Sequence, residues 1–335
     1  MNTNHNIIFG AGLIGGYLAG AFSARGLSAL LVGRSKTQSA LANGLTVSDM
    51  TGNQVTIDNI EFYSAIEHQQ IDTLWLTVKC TAVEASLIDL KDIVQPDTII
   101  ICCQNGFGSD HLVRQAFPNN VVLNAVVGFN VAEHAPAHLH RSTDGKLIIE
   151  YHKRLEAFIA KVDSPLLPTA SSHHFVADQW AKLQLNLANP VNALANIPVK
   201  SMTEDPGYRR IIAQLMDELL LVTDALNLKL PKVTAAPARM LPKLMRLPNW
   251  IFNRLAQKML AIDPSARTSM WWDLSQGKPS EINYLNGAVV HQAKALNLPC
   301  PYNRKIVELV HRVEAGELAL GLSADALMTA LNESA

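Results

Sequence analysis

The fold is decided by the stretch NIIFGAGLIGGYLA, residues 6–19. Asn6–Phe9 predicts a buried strand, and a helical pattern begins near Gly16. Between them, Gly10, Gly12 and Gly15 have the G-x-G-x-x-G spacing, in the strand–turn–helix context that this motif requires. In such a motif the glycines allow a tight turn, a close backbone approach to a pyrophosphate and close helix packing, while free N–H groups at the helix start face the phosphates. The stretch predicts dinucleotide binding by Gly10, Ala11, Gly12, Leu13, Ile14 and Gly15. The alternative is a turn that needs only backbone freedom.

Length and composition favour a two-domain globular enzyme. A chain of 335 residues is long for one core. The net charge of −1 gives no reason to expect nucleic-acid binding. No apolar run is long enough to span a bilayer, and the N-terminus lacks the features of a secretory signal, so we expect a cytoplasmic protein without a membrane partner. The four cysteines lack metal-site spacing, so we expect small buried thiols and no metal.

The order of predicted elements points to two kinds of architecture. Short apolar strands alternate with helices in the first half, which predicts an α/β Rossmann-type domain with a mostly parallel, doubly wound sheet. Residues 45–48 and 54–57 predict a hairpin, residues 146–150 the last strand, and residues 164–174 a linker or short connection. Beyond Ala177 the pattern is almost wholly helical. We therefore expect a nucleotide-binding domain over residues 1–174 and an all-α substrate and catalytic domain over residues 175–335.

The residue after the second strand favours NADP(H) over NAD(H). NAD-selective sites of this type usually carry an acidic residue there, about 20 residues past the glycines. Here the chain reads Val32-Gly33-Arg34-Ser35-Lys36, without an acid. A guanidinium can bind the 2′-phosphate of NADP in a bidentate manner. Arg34 is therefore predicted to select NADPH/NADP+. The alternative is an ordinary surface cation.

Residues 225–262 contain no acidic residue and carry seven lysines and arginines among four prolines. The interpretation that we favour is a solvated helix face joined by loops. The alternative is a cationic lid over an anionic ligand.

Three polar clusters in the helical half suggest chemistry. On a helix, Lys182, Asn186 and Asn189 fall at positions i, i+4 and i+7 and share one face. Burying them among leucines is costly unless something polar meets them, which a ligand would supply; a solvent-facing stripe is the alternative. The other two clusters contain Ser269 and Glu281, which we expect on successive elements because Gly277 and Pro279 interrupt a helix between them. The alternative for Glu281 is complementing a helix dipole.

Taken in order, these parts resemble the ketopantoate reductases (2-dehydropantoate 2-reductases) over nearly the whole chain. Ser269 and Glu281 are twelve residues apart, as the pattern of that family expects. The other parts that carry the resemblance are the glycine turn, Arg34, Val78-Lys79, Gln104-Asn105-Gly106, the Lys182…Asn186 helix, Ser269-Met270 with Asp273, Ser280-Glu281-Ile282 and Pro301-Tyr302-Asn303.

The resemblance implies NADPH-dependent reduction of a 2-oxo acid to a 2-hydroxy acid, with ketopantoate to pantoate in pantothenate biosynthesis as the leading reaction. It implies two catalytic residues: Lys182 as the general acid that protonates the developing alkoxide, and Glu281 as a group that orients the lysine or the cofactor. It further implies cofactor contacts by Arg34, Lys79 and Asn105, and substrate contacts by Asn105, Asn186, Asn189 and Ser269.

The chain departs from the family pattern on the substrate side. Asn189 follows Asn186 by three residues instead of four, and Pro279-Ser280 stands where Arg-Thr is expected. A second hypothesis for the function is therefore a reductase of the same fold that acts on another 2-oxo acid or on a larger carbonyl compound. A third is a sensor that binds NADP(H) without turnover, against which Lys182, Ser269 and Glu281 argue. The apolar C-terminal helices are compatible with a homodimer.

Overall fold

The computed structural model describes residues 5–64, 71–234, 236–256 and 263–333. It divides into two compact units, Met1–Asp178 and Gln179–Ala335. The boundary lies inside a helix, Phe175–Asn186, whereas the sequence suggested a division between residues 174 and 175, just before this helix.

The first unit contains an eight-stranded sheet in the order β12-β11-β8-β7-β6-β1-β2-β5. All neighbouring pairs are parallel except β8 and β11. This confirms the mostly parallel α/β class. The strands of this unit are β1 Asn6–Phe9, β2 Ala29–Val32, β3 Leu45–Asp49, β4 Gln54–Ile57, β5 Phe62–Tyr63, β6 Thr73–Leu76, β7 Ile99–Cys102, β8 Val121–Val127, β9 Val131–Ala135, β10 His138–Arg141, β11 Leu147–Glu150 and β12 Thr169–Ser172.

Helices cover both faces of this sheet because successive strand residues point to opposite sides. Ile8, Leu31, Trp75, Ile101 and Leu123 belong to one buried cluster. The residue before each of them belongs to a second buried cluster. The helices of this unit are α1 Leu13–Ala24, α2 Ser35–Ala40, α3 Val83–Leu90, α4 Ser109–Ala116 and α5 Glu156–Val162, with 3₁₀ turns at Cys80–Ala82 and Lys153–Leu155. Both α1 and α5 contribute to the first cluster, and α3 and α4 to the second.

Two features of this unit differ from the sequence-based prediction. The predicted hairpin forms as β3 and β4, but it belongs to a separate four-stranded sheet, β4-β3-β10-β9. The prediction that residues 146–150 form the last strand is wrong, because β12 follows and pairs in parallel with β11. The sequence of β12, Thr169–Ser172, lacks the apolar run that marks the other strands, since it lies at the edge of the sheet.

The described residues of the second unit form helices and loops, with no strand among them. Its helices are α6 Phe175–Asn186, which begins in the first unit, α7 Ala188–Ala195, α8 Val199–Glu204, α9 Pro206–Ala225, α10 Leu241–Met245, α11 Asn249–Leu255, α12 Ser269–Ser275, α13 Asn286–Ala295, α14 Pro301–Glu314 and α15 Ala324–Asn332, with 3₁₀ turns at Ala238–Met240 and Ile282–Tyr284. None of the helices in the described ranges is long and apolar enough to cross a membrane.

Helix α9 holds this unit together through two buried charged side chains. Arg209 is fully buried and donates to the carbonyl oxygens of Met245 and Leu247, among others. Glu218 accepts hydrogen bonds from the backbone N–H groups of Tyr302 and Asn303 at 2.8 Å each, so a carboxylate caps the start of α14. The Pro-x-Asn motif, residues 301–303, is thus a structural junction between α9 and α14.

The basic segment is held partly by ion pairs with α9. Arg239 pairs with Asp224, and Arg246 Nη2 lies 2.5 Å from Asp217 Oδ2. Between 40% and 69% of each of these four side chains is exposed. These pairs favour a solvated face over a cationic lid for the described part of the segment. Lys258, which we included in the segment, lies outside the described residues.

The small sheet carries a cluster of histidines around Ser48. His138 Nε2 and His140 Nδ1 lie 2.7 and 2.8 Å from Ser48 Oγ, and the His134 ring stacks on His140 at 4.0 Å. Burial lowers the pKa of His140 from 6.5, and the neighbouring His134 and His138 lower it further. Asp49 raises this pKa and Arg141 lowers it. The folded state therefore favours neutral His140.

We expect the melting temperature to fall as pH drops below about 6.5, because the unfolded chain then binds a proton at His140 that the folded state resists. His140→Gln should reduce this pH dependence. Calorimetric melting between pH 5.5 and 7.5, roughly one unit either side of the histidine reference pKa, measures it. The exposed His174 provides the control, since His174→Gln should leave the dependence unchanged. Equal slopes in the His140 variant and the parent protein would contradict the assignment.

Candidate functional site

The glycine turn has the close contacts that its motif predicts. Gly10 adopts φ +118°, a conformation that favours glycine. A Cβ on Gly15 would lie 2.0 Å from the Gly10 carbonyl oxygen, so α1 starts in direct contact with the end of β1. The same carbonyl accepts a hydrogen bond from Thr77 Oγ1 at 2.8 Å. A Cβ on Gly12, in contrast, would meet no atom within 4 Å, so this side of the turn is open.

The open side of the turn is the N-terminus of α1. Gly12 is the N-cap and offers no side-chain hydrogen bond, and the first turn of the helix contains no acidic residue. The first N–H groups of a helix have no intrahelical acceptor. They therefore suit an anionic group such as a pyrophosphate. Gly12 and Leu13 are exposed, whereas Gly15 is buried against the strand.

The predicted cofactor residues lie beyond the carboxyl ends of neighbouring parallel strands. Arg34 follows β2, Lys79 follows β6 and Asn105 follows β7. Because β7, β6, β1 and β2 are adjacent in the sheet, the structure brings these loops to the same edge as the glycine turn. All three residues are exposed. This edge is where ligands bind in open parallel sheets.

Two side chains to which the sequence assigned no role fix this edge. Gln104 Nε2 donates to the carbonyl oxygens of Leu76 and Val78 at 2.7 and 3.0 Å, which ties the end of β7 to the end of β6. The Cys80 thiol donates to the Asn105 carbonyl oxygen at 3.2 Å. The loops that carry Lys79 and Asn105 are thus linked. Gln104 stands within Gln104-Asn105-Gly106, so its place in that motif was the available signal.

Lys182 and Asn186 lie one turn apart on α6. The neighbours of Lys182, Ala181 and Leu183, are buried, and Lys182 itself is half-buried. Burial lowers the pKa of the Lys182 ammonium from its usual value of 10.5. The structure contains no ion pair of this lysine among the described residues. Such an ammonium is a better proton donor near neutral pH than an exposed lysine.

The prediction that Lys182, Asn186 and Asn189 lie on one helix is wrong. Helix α6 ends at Asn186, and α7 begins at Ala188. Pro190 has no N–H to donate to the Asn186 carbonyl, so the hydrogen-bond ladder is broken there. Pro190 instead occupies the first turn of α7, where an N–H would lack an intrahelical acceptor. Asn189 therefore belongs to the second helix, although it is close to Asn186 in sequence.

Ser269 and Glu281 meet at one small pocket. They lie on successive elements, as expected: Ser269 begins α12 and Glu281 immediately precedes the 3₁₀ turn Ile282–Tyr284. Ser269 is exposed and Glu281 is buried. The pocket is lined by Ser269, Met270, Asp273, Glu281 and Leu285. Lys182, Asn186 and Asn189 are outside this lining set.

A buried carboxamide that the sequence did not identify joins α7 to α12. Asn192 is fully buried, and its Oδ1 accepts hydrogen bonds from Thr268 N and Thr268 Oγ1 at 3.1 Å each. Thr268 in turn is the N-cap of the helix that Ser269 begins. The only local signal is one polar residue in the apolar run 191–195. That pattern does not indicate its partner, which lies 76 residues away.

Comparison with known proteins finds family matches in both units. The family model described as ketopantoate reductase PanE/ApbA matches residues 7–154. The model described as ketopantoate reductase PanE/ApbA C terminal matches residues 174–314. The 2-dehydropantoate 2-reductase of Archaeoglobus fulgidus is 23% identical over 316 residues, which cover 92% of this chain and 97% of that relative.

Three solved structures illustrate the likeness of fold. A PanE/ApbA family ketopantoate reductase from Ralstonia eutropha has a TM-score of 0.76 at 25% identity, covering 93% of this chain and 99% of that one. D-mandelate dehydrogenase, solved with NADH and anilino(oxo)acetate, has a TM-score of 0.74 at 19% identity, with coverage of 93% and 99%. A dimeric ketopantoate reductase from Staphylococcus aureus has a TM-score of 0.71 at 21% identity, with coverage of 94% and 100%.

The family models confirm the resemblance that the motifs indicated. Because they match most of both units, the chain belongs to the ketopantoate reductase PanE/ApbA family, a family of NADPH-dependent oxidoreductases that act on CH–OH groups.

Proposed function

We propose that this protein reduces a 2-oxo acid to the 2-hydroxy acid with NADPH, and that 2-dehydropantoate is the substrate. The observation that carries the proposal is Lys182, a half-buried lysine whose pKa is lowered by burial and whose helix presents Asn186 one turn further on. This is the kind of proton donor that reduction of a ketone needs. The 2-dehydropantoate 2-reductase that matches nearly the whole chain supports the choice of substrate.

The residues of the first unit fit NADPH. The open turn at Gly12 and the uncapped start of α1 suit the pyrophosphate. Exposed Arg34 is the candidate for the 2′-phosphate, while Lys79 and Asn105 would contact the cofactor from the loops that Gln104 links. When bound, NADPH supplies the hydride.

Lys182 acts as the general acid in this proposal. Its ammonium donates a hydrogen bond to the ketone oxygen, stabilises the negative charge that develops there and transfers a proton to it. Glu281 orients the lysine or the cofactor, and Asn186, Asn189 and Ser269 are the candidates in the second unit for contacts with the polar groups of the substrate. Asn105 is the candidate in the first unit. The buried position of Glu281 beside Ser269 supports a positioning role for this carboxylate.

A second candidate is the same reaction on a different 2-oxo acid. The observation that favours it is the helix boundary at Leu187, which places Asn189 on α7 and Lys182 and Asn186 on α6. D-mandelate dehydrogenase, which shares the fold, was solved with the 2-oxo acid derivative anilino(oxo)acetate. A change in the placement of one carboxamide alters which substrate side chain is accepted.

The deciding experiment measures NADPH oxidation with ketopantoate, pyruvate, 2-oxoisovalerate and 2-oxo-2-phenylacetate. We expect kcat/KM to be highest for ketopantoate. If kcat/KM is higher for another 2-oxo acid of the panel, that acid is the preferred substrate, and the proposed reduction by NADPH still stands. Saturable NADPH binding without turnover of any 2-oxo acid would overturn the proposal and favour an NADP(H)-binding sensor.

Lys182→Ala should lower kcat by about a hundred- to ten-thousandfold, the usual contribution of a general acid, and leave the Kd for NADPH within about threefold. In the parent enzyme, kcat should fall as pH rises through the lowered pKa of Lys182, because only the ammonium form donates a proton. Steady-state rates over pH and cofactor titrations measure both. Lys294→Ala, at an exposed lysine of α13, is the control. Undiminished kcat in the Lys182 variant would refute its role.

Arg34→Ala should raise the Kd for NADPH by about ten- to a hundredfold, because a charge-assisted contact with the 2′-phosphate is lost. The Kd for NADH, which lacks that phosphate, should change by less than about threefold. Fluorescence titration of both cofactors makes the comparison. Arg114→Ala, at an exposed arginine of α4, serves as the matched control. Equal weakening of both cofactors in the Arg34 variant would remove Arg34 from 2′-phosphate recognition.

We also propose that the enzyme is a cytoplasmic homodimer. The four cysteines are free thiols, which supports a reducing compartment. Trp250 and Leu255 on α11 are 77% and 63% exposed, so this unit presents apolar side chains that a second copy would cover. The dimeric ketopantoate reductase of similar fold supports the same oligomeric state.

A further inference from the structure

Asn192 is held at both ends of its carboxamide. Its Oδ1 accepts from the N–H and the hydroxyl of Thr268, and its Nδ2 donates to the Ile197 carbonyl oxygen at 2.7 Å. The side chain is fully buried, so water cannot replace these partners. Turning the amide over would place a donor against the Thr268 N–H. The orientation of Asn192 is therefore fixed by its own hydrogen bonds.

Thr268 transmits this constraint to Ser269. Its Oγ1 accepts from Trp271 N at 3.4 Å and so caps α12, the helix in which Ser269 is the first residue. Thr268 Oγ1 also lies 3.4 Å from the Asn189 carbonyl oxygen. One buried amide thereby links the helix that carries Asn189 to the helix that carries Ser269. These are two of the residues assigned above to substrate binding.

A second asparagine of α7 provides a contrast. Asn196 Oδ1 accepts from Trp271 Nε1 at 2.7 Å, one turn beyond Asn192. Asn196 is exposed, so water can take the place of its oxygen when the side chain is removed. Asn192 and Asn196 thus make comparable bonds to the same segment, residues 268–271, but only the bonds of Asn192 are shielded from water.

We propose that Asn192 is a positioning residue of the substrate site, which acts through Thr268 to fix Ser269 relative to Asn189. The inference rests on the proposed function. A displacement of about 1 Å at a substrate contact changes rates by up to about a hundredfold, so a shielded hydrogen bond that sets this spacing influences substrate binding without touching substrate. Residues outside the second unit, including Arg34 and the glycine turn, do not depend on it.

The test compares four variants by steady-state kinetics. Asn192→Ala and Thr268→Val, which keeps the shape of threonine without its hydroxyl, should raise KM for the 2-oxo acid by about ten- to a hundredfold and KM for NADPH by less than about twofold. Thr268→Ser, which restores the hydroxyl, should return KM for the 2-oxo acid to within a few-fold of the parent value. Asn196 adopts φ +54°, so Asn196→Gly, which suits that conformation, is the matched control and should behave like the parent enzyme.

The ratio of the two KM values separates positioning from a general structural role. If Asn192→Ala and Thr268→Val lower the melting temperature and raise both KM values together, or leave both unchanged, the inference is overturned. Failure of the proposed function shows itself differently, as absence of turnover in the parent protein. Hydrogen exchange of the amides of residues 268–271 in the unliganded variants then decides. Faster exchange in these two variants than in Asn196→Gly supports the positioning of Ser269, and equal exchange overturns it.

Discussion

The contact between Gly15 and the Gly10 carbonyl is the constraint on which the cofactor half depends. A Cβ on Gly15 would lie only 2.0 Å from this oxygen, so the first turn of α1 packs directly against the end of β1. Thr77 donates to the same oxygen and brings the end of β6 to the same point. The start of α1 is thereby aimed along the carboxyl edge of the sheet, where the loops carrying Arg34, Lys79 and Asn105 also emerge. A longer side chain at Gly15 would displace the helix that defines this edge.

Other loops of each unit are held by buried or half-buried polar side chains that hydrogen-bond to backbone groups at the ends of helices and strands. Gln104 links the ends of β6 and β7 through hydrogen bonds to two carbonyl oxygens. Arg209 donates to the carbonyl oxygens of Met245 and Leu247 at the end of α10, and Asn192 accepts from the N–H of Thr268, the residue before α12. Apolar packing is non-directional and tolerates small shifts, whereas a buried hydrogen bond has a required geometry and is costly to leave unmade. These side chains therefore fix the positions of loop ends. Binding residues on such loops need positions that are fixed this closely, because their contacts with a ligand also have a required geometry.

The sequence predicted what local patterns encode. The glycine turn, the alternating strands and the β3–β4 hairpin follow from spacing over a few residues. It did not predict the small sheet, because β10 pairs with β3 across a long stretch of chain and is polar on one side. The contacts of Thr77 and Asn192 were missed because their partners, Gly10 and Thr268, lie far away in sequence. The break before Asn189 was signalled by Pro190, which lacks an N–H for the helical hydrogen-bond ladder and suits the first turn of a new helix.

Two cations in the helical unit differ in how their charge is accommodated. Burial lowers the pKa of both. Arg209, however, is fully buried, donates to five oxygen atoms and lies 4.1 Å from the centre of the Phe252 ring, so hydrogen bonds and a ring contact compensate its charge. Lys182 is half-buried and, among the described residues, has no ion pair to offset its desolvation, which is why its pKa falls. A compensated cation is stable and unreactive as a proton donor. An uncompensated ammonium is destabilised until an electron-rich oxygen approaches it, and the same imbalance that weakens the folded protein then favours proton transfer to that oxygen.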